Sequence, residues 1–308
     1  TGKWKFHWYP LDAVESPAGG WIGLSEITAL GDRAFLIVER DNRGGRDAAV
    51  KRVYYFDLDE GRKLNDVTTG EGAEGIATTP DGKHVWVTNR AADTLSVIDA
   101  STLEVVATVP CKGFPIRVAI TPDGSRLIYA GTDKEHGTRL FVRDLSEFEV
   151  RPLSGTEGAY APFISPDGET VGFFAKDQLR VVPIDGGDAR IVAEAPNPLG
   201  GAWWGPERII FNDQEANRHW WVPLIGATPT PLPIDQSGAP PGGTVAIGQE
   251  YRVAITAREE IDRLVCLARV FLEGQRRAQV LGGHLVDVEG AGPVAEHHFT
   301  TDDCSFQR

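Results

Sequence analysis

Five residues whose side chains could bind a ligand recur at intervals of about 40–50 positions: Glu26, Glu74, Arg117, Tyr160 and Trp203. Ca²⁺ prefers carboxylate oxygens, so Glu26 and Glu74 are candidate metal ligands if the fold brings them together. The guanidinium and the two aromatic rings would offer hydrogen bonds and stacking surfaces to a small polar ligand. In the structural alternative, these side chains line a water-filled channel, where Glu74 and Arg117 form a salt bridge.

Repeated β-hairpins are the elements that would position these residues. The turn sequence Pro-Asp-Gly occurs three times between apolar runs, in ATTPDGKHVWVTN (77–89), AITPDGSRLIYAG (119–131) and FISPDGETVGFFA (163–175). Proline presets the first central dihedral angle of a turn, aspartate hydrogen-bonds its own following backbone, and glycine accepts a positive φ. Related turns at Gly31-Asp32, Gly205-Pro206-Glu207 and Gly248-Gln249 extend the series to six hairpins.

A repeat of about 40–50 residues with four short strands is typical of a β-propeller. Residues 74–110 contain all four strands of one unit: EGIATT, HVWVTN, TLSVIDA and EVVATVP. We therefore predict an all-β propeller of about six four-stranded blades, with five or seven as alternatives. The innermost strand of each blade starts beside the central channel, so the five residues above would meet at the channel mouth.

The two ends of the chain depart from the repeat. We assign residues 1–256 to the blades, with residues 3–9 as an N-terminal strand that closes the ring. Around 257–273, a cap at Thr256 with Glu259 favours a short helix, although alternating apolar residues also allow a strand. Residues 257–308 would either complete the last blade or form a small α+β tail.

Three stretches resemble different families of bacterial propellers. Residues 19–58, with GLSEI, FLIVERD and VKRVYYFDL, resemble the phytase-like esterase family of secreted propellers. Residues 75–131 are similar to YVTN-type repeats, and residues 138–232 to the WD-type repeats of TolB-like propellers. The chain therefore reads as a mosaic, natural or engineered. The first resemblance implies a periplasmic or extracellular location, with a signal peptide that is not in this sequence.

Net charge limits the possible binding partners, and the cysteine pattern limits the possible zinc sites and disulfides. The formal net charge of −13 argues against nucleic acid and anionic membranes as partners. No apolar run is long enough to predict a membrane-spanning helix. We also expect the protein to be a monomer. Three cysteines match no zinc motif, which leaves open a Cys266–Cys304 disulfide or three free thiols.

A second possible metal site lies near the C-terminus. Its residues are His284, Glu296, His297, His298, Asp302 and Asp303. Neighbouring residues on a strand point to opposite faces, so His297 and His298 cannot easily chelate one ion together. A solvated polar strand and turn is the interpretation that this geometry favours.

The sequence contains no nucleophile elbow, P-loop, zincin helix or dinucleotide fingerprint, so no motif identifies a reaction. We consider three functional hypotheses. The first is a non-catalytic propeller that binds a protein or a small ligand at its top face. The second, implied by the phytase-like resemblance, is a Ca²⁺-dependent hydrolase of ester or phosphoester bonds. The third is a recombined or engineered propeller without a selected activity.

Overall fold

A computed structural model describes most of the chain. The described residues are 4–31, 33–43, 48–111, 113–133, 135, 137–146, 150–198, 200–213, 218–231 and four strands nearer the C-terminus.

Five antiparallel sheets of four strands follow one another along the chain, and each is one blade. The strands of blade one are β2 (Ile22–Leu30), β3 (Ala34–Asp41), β4 (Lys51–Asp57) and β5 (Arg62–Val67), and those of blade two are β6 (Ala73–Thr78), β7 (His84–Asn89), β8 (Thr94–Asp99) and β9 (Val105–Pro110). Those of blade three are β10 (Val118–Ile120), β11 (Arg126–Asp133), β12 (Gly137–Asp144) and β13 (Val150–Pro152). Blade four has β14 (Tyr160–Ile164), β15 (Thr170–Ala175), β16 (Gln178–Pro183) and β17 (Arg190–Glu194), and blade five has β18 (Gly201–Trp204), β19 (Arg208–Asp213), β20 (Arg218–Pro223) and β21 (Thr230–Pro231).

The two ends of the chain meet in one further sheet. It has three strands in the order β1, β23, β22, formed by β1 (Trp4–Pro10), β22 (Arg252–Ala257) and β23 (Leu264–Val270). A separate hairpin comprises β24 (Ala278–Leu281) and β25 (His284–Asp287). The expected helix near 257–273 is wrong over 264–270, because that segment pairs as a strand with β1 and β22. The prediction of an all-β propeller of about six blades is confirmed.

The Pro-Asp-Gly segments form the tight turns predicted for them. In blade two, Gly82 N donates to Thr79 O at 2.8 Å, and Gly82 has a φ of +69°. Asp81 Oδ1 accepts hydrogen bonds from Thr79 Oγ1 at 2.6 Å and from Lys83 N at 3.1 Å. The same backbone bond closes the turns at Gly124 and Gly168. These turns lie at the end of the ring opposite the starts of the inner strands.

The apolar core lies between successive blades. The first strands of adjacent blades contact each other in the order β2, β6, β10, β14, β18, so they form the inner wall. Between blades one and two, for example, Leu36 and Val38 pack with Ile76, Val85 and Val87, all at most 3% exposed. A strand buried on both faces gains stability from apolar residues at every position, which explains continuous runs such as AFLIV in β3.

A buried polar network joins the N-terminal strand to blade one. Tyr9 Oη, at the end of β1, donates to Glu39 Oε2 at 2.8 Å, and Lys63 Nζ lies 2.8 Å from the same oxygen. Lys63 Nζ also contacts Asp12 Oδ1 at 2.7 Å. Burial alone would raise the pKa of Asp12, but hydrogen bonds from Lys63 and Tyr54 outweigh it and lower that pKa. The lowered pKa favours the ionised form of Asp12, and the network anchors the strand to blade one.

One described cysteine is a free thiol. Cys111 is half-buried, and burial raises the pKa of its thiol to about 12. Such a thiol is a weak nucleophile. Cys304 lies outside the described residues, so its pairing with Cys266 stays a prediction.

Inner strands of adjacent blades approach each other closely at Gly75. A Cβ atom on this residue would lie 2.6 Å from Ile116 O and 3.0 Å from Arg117 Cα. The hydroxyl of Thr88 bridges the two blades, because its Oγ1 accepts from Gly75 N at 2.7 Å and donates to Ile116 O at 3.2 Å. Only glycine fits between β6 and the segment that enters β10.

We expect Gly75→Ala to lower the free energy of unfolding by about 1–3 kcal/mol, because the added methyl forces two backbones apart. Urea unfolding measures the change. The matched control is Gly200→Ala, since a Cβ at Gly200 meets no atom within 4 Å. Its expected effect is within about 0.5 kcal/mol. Equal stability of the two variants would contradict the close approach.

Candidate functional site

Glu26 and Arg117 link three blades near the axis. Glu26, on β2, is partly buried, and its Oε2 accepts from Ile76 N of blade two at 2.8 Å. Arg117, just before β10 of blade three, places Nη1 3.7 Å from the same oxygen. Arg117 Nη1 also donates to Ser25 O at 3.3 Å and to Ser25 Oγ at 3.4 Å. The expected salt bridge between Glu74 and Arg117 is therefore wrong, because Arg117 pairs with Glu26 instead.

The environment of Glu26 disfavours its ionised form. Burial raises the pKa of this carboxyl, and the nearby charge of Glu74 adds to the rise. The positive charge of Arg117 and the hydrogen bond from Ile76 N lower it without offsetting burial. The pKa of Glu26 therefore lies above its ordinary value, and Arg117 limits the shift.

Glu74 lies between two arginines but is not hydrogen-bonded to either. It is the second residue of β6 and is 4% exposed. Arg40 Nε lies 3.4 Å from Glu74 Oε1, and Arg90 Nη1 lies 3.9 Å from Glu74 Oε2. Glu74 Oε2, Arg40 Nε and Arg90 Nε are buried and have no hydrogen-bond partner in the part of the chain that the structure describes.

The basic residues around Glu74 come from positions that the repeat pattern did not single out. Arg40 pairs with Gly23 in blade one, and Arg90 N donates to Gly72 O at 2.8 Å in blade two. Both arginines therefore sit where the second strand ends beside the start of the inner strand. In an antiparallel hairpin the start of the inner strand lies beside the end of the second strand. Reading the residues at both positions, and not only at the start of the inner strand, would have found Arg40 and Arg90.

Lys51 adds a third cation beside Arg40. Its Nζ donates to Asp41 O at 2.9 Å and lies 3.6 Å from Asp41 Oδ1. Burial lowers the pKa of Lys51, and Arg40 lowers it further, while Glu74 and Asp41 raise it. We refer to Glu26, Arg40, Lys51, Glu74, Arg90 and Arg117 together as the channel-mouth cluster.

Phe114 forms an apolar wall beside the cluster. The residue is 43% exposed, and the Arg90 guanidinium lies 4.3 Å from its ring centroid. The backbone of Phe114 has a φ of +59°, a conformation that costs a non-glycine residue about 1–2 kcal/mol. A hydrogen bond of 2.5 Å from Phe114 N to Asp93 Oδ1 holds it there. Strained residues of this kind are common at binding sites.

Tyr160 and Trp203 lie on the side of blades four and five. Trp203 is 7% exposed and packs in the core between these blades, with its ring centroid 6.4 Å from that of Phe163. The expectation that Trp203 offers a surface at the channel mouth is therefore corrected. Tyr160 is half-buried against the same core, 6.0 Å from the Phe174 ring, and burial raises the pKa of its hydroxyl.

The described residues contain no group of three or more His, Cys, Asp or Glu side chains placed to hold a metal ion. Glu26 and Glu74, the two predicted Ca²⁺ ligands, each lie beside an arginine that competes with a bound cation. The second candidate group, Glu296 to Asp303, lies outside the described residues. No helix in the described part of the chain is long and apolar enough to cross a membrane.

Comparisons with known proteins agree with a β-propeller built from unlike parts. Residues 1–69 match the phytase-like family, described as esterase-like activity of phytase. Residues 45–161 match the family of lactonases with a seven-bladed β-propeller. Each match covers less than half of the chain. The fold and these matches define a propeller whose segments resemble different bacterial propeller families, as the sequence predicted.

Two individual proteins extend the comparison. The chain is 28% identical over 175 residues to protein NirF of Pseudomonas aeruginosa. The aligned region covers 51% of this chain and 43% of NirF. The match thus spans less than half the length of that relative. Among solved structures, hydrazine synthase of Kuenenia stuttgartiensis aligns with a TM-score of 0.58 and 19% identity, over 78% of this chain and 72% of that chain. This likeness shows the fold alone.

We expect Arg117→Met to lower the free energy of unfolding by roughly 1–2 kcal/mol at pH 7, because it removes the cation beside the Glu26 carboxyl and the donor to Ser25 O. The folded-state pKa of Glu26 is raised, so stability falls as the pH rises through that pKa. Without Arg117 this pH-dependent fall in stability is larger. The destabilisation caused by Arg117→Met should therefore be smaller near pH 4 than at pH 7. Urea unfolding at both pH values measures it. In a Glu26→Gln background the loss should also shrink, and an undiminished loss there would contradict the pairing.

Proposed function

We propose that this protein is a non-catalytic β-propeller that binds a small polar ligand at the channel mouth. Four buried polar atoms without a hydrogen-bond partner among the described residues carry the proposal. They are Arg40 Nε, Glu74 Oε2, Asn89 Oδ1 and Arg90 Nε. Native proteins leave few such atoms, because each costs about 1–3 kcal/mol. Asn89 pairs with Ala73, next to Glu74, so all four lie at one place on the ring.

A small ligand suits this position better than a protein partner. The polar groups of Glu74 and Asn89 are recessed, with exposed fractions of 4% and 0%. A flat protein surface would cover the mouth without reaching them, whereas a small molecule can contact the partly exposed side chains of Arg40 and Arg90 beside Glu74. Ligand pockets of this kind combine apolar walls with a few convergent polar groups.

A Ca²⁺-dependent hydrolase of ester or phosphoester bonds is the second candidate. The phytase-like match over residues 1–69 favours it. In that case Glu26 and Glu74 would exchange their arginine partners for the ion, which would polarise the scissile bond and activate water. The absence of a recognisable catalytic motif in the sequence favours the binding function instead.

We also propose a periplasmic or extracellular location, supported by the resemblance of residues 1–69 to a family of secreted propellers. Fractionation of the native cells, with detection by antibody, checks this. Recovery in the cytoplasmic fraction would contradict export.

Thermal unfolding in EDTA, repeated with added probes, tests both functions. Acetate, ethylamine, glucose and CaCl₂ represent anionic, cationic, neutral and metal ligands. A ligand that binds the folded state at about 100 times its Kd stabilises it by about 2.7 kcal/mol, which is several degrees in Tm. We expect at least one organic probe to raise the Tm of the wild type, and the rise to be lost in the variant that lacks the opposite charge: Arg90→Gln for acetate, Glu74→Gln for ethylamine, and either variant for glucose.

The Ca²⁺ arm separates the two candidates. A rise in Tm with CaCl₂ that is lost in both Glu26→Gln and Glu74→Gln would favour the hydrolase and contradict the non-catalytic proposal. A wild-type protein whose Tm no probe changes, or a shift that persists in both Glu74→Gln and Arg90→Gln, would contradict binding at the channel mouth.

A further inference from the structure

Three basic side chains lie around Glu74 in the channel-mouth cluster. Arg40, Lys51 and Arg90 lie there with the carboxylates of Glu74 and Asp41. Asp41 is already satisfied, because it accepts hydrogen bonds from Arg43 N, Ala49 N and Val50 N.

The two arginines remain accessible to a ligand. Their side chains are 29% exposed for Arg40 and 41% exposed for Arg90. Their distances to Glu74 are too long for strong charge-assisted hydrogen bonds, which lie near 2.7–2.9 Å. An oxyanion could therefore accept hydrogen bonds from both guanidinium groups with less competition from Glu74.

Phe114 gives the same place an apolar surface. The residue is 43% exposed although its backbone is held in a strained conformation. Arg90 stacks against this ring, so a molecule that reaches Arg90 also meets Phe114. The Asp93 carboxylate accepts from Phe114 N and keeps the ring on this side of the loop.

We propose that the channel mouth binds an organic anion. Its carboxylate or phosphate group accepts hydrogen bonds from Arg40 and Arg90, and its apolar part lies against Phe114. Arginine suits this role because its planar fork of N–H donors matches the geometry of both oxyanions. This inference rests on the proposed binding function and adds the chemical class of the ligand and the residues that recognise it.

Calorimetric titration of the purified chain at low ionic strength tests the inference with four probes. Benzoate combines a carboxylate with a ring, acetate and inorganic phosphate carry the anion alone, and benzylamine carries the ring with the opposite charge. We expect benzoate to bind more tightly than acetate, and benzylamine not to bind. Binding should weaken with added salt. A higher affinity for phosphate than for acetate would assign a phosphate group to the natural ligand.

Variants assign the binding to particular residues. We expect Arg40→Gln and Arg90→Gln each to weaken benzoate binding at least tenfold, and Phe114→Ala to weaken benzoate but not acetate. Arg40→Lys keeps the charge without the fork and should retain partial affinity even if Arg40→Gln folds poorly. Arg126→Gln is the matched control, because Arg126 is 31% exposed and pairs with Asp185 at the opposite end of the ring.

The outcomes distinguish this inference from the function on which it rests. Binding of benzylamine but not of anions, lost in Glu74→Gln, would overturn the anion assignment and leave a ligand site at the channel mouth. Anion binding unchanged in Arg40→Gln and Arg90→Gln would place the anion elsewhere and overturn the assignment. If none of the four probes binds, the inference fails, and the proposed function fails with it if glucose also leaves the Tm unchanged.

Discussion

The close approach of inner strands around the axis is the constraint on which the rest of this structure depends. At Gly75 the backbones of blades two and three leave no room for a side chain. Strands of different blades share no regular ladder there, so side chains supply the bonds between them. Thr88 bridges Gly75 and Ile116, and Glu26 accepts from Ile76 N. The polar residues near the axis are therefore part of what holds the blades together.

The same constraint divides the channel-mouth cluster into two halves with different roles. Glu26, Arg117 and Ser25 satisfy one another and the backbone of blade two, so this half is structural. Glu74 and Arg90 form a half whose geometry is incomplete within the described chain. A ligand can complete the second half without breaking the first. Stability and binding are thus assigned to neighbouring residues rather than to the same ones.

Much of the fold was predictable because its signals are local. Three Pro-Asp-Gly turns at a regular spacing gave the hairpins, the repeat and the propeller. The starts of the inner strands were also predictable, and Arg117 and Glu74, two of the residues read at those starts, lie near a third, Glu26. Which residues pair was not predictable, because the partner depends on side-chain reach across blades. Trp203 was misplaced for a related reason: its position on the strand did not reveal that its ring turns into the core, at 7% exposure. The prediction of a helix near 257–273 was wrong over 264–270, because helix propensity takes no account of strand partners that are distant in sequence.

The pairing of β1 with β23 has a consequence for the order of events during synthesis. The partner residues are more than 250 positions apart, so β1 leaves the ribosome long before its partner exists. An apolar strand with a free edge is prone to aggregate during such a wait. The segment KWKFHWY alternates lysine and histidine with its aromatic residues. Positive charges on a nascent strand repel other copies of it, so the alternation that suits the final sheet also protects the unfinished chain.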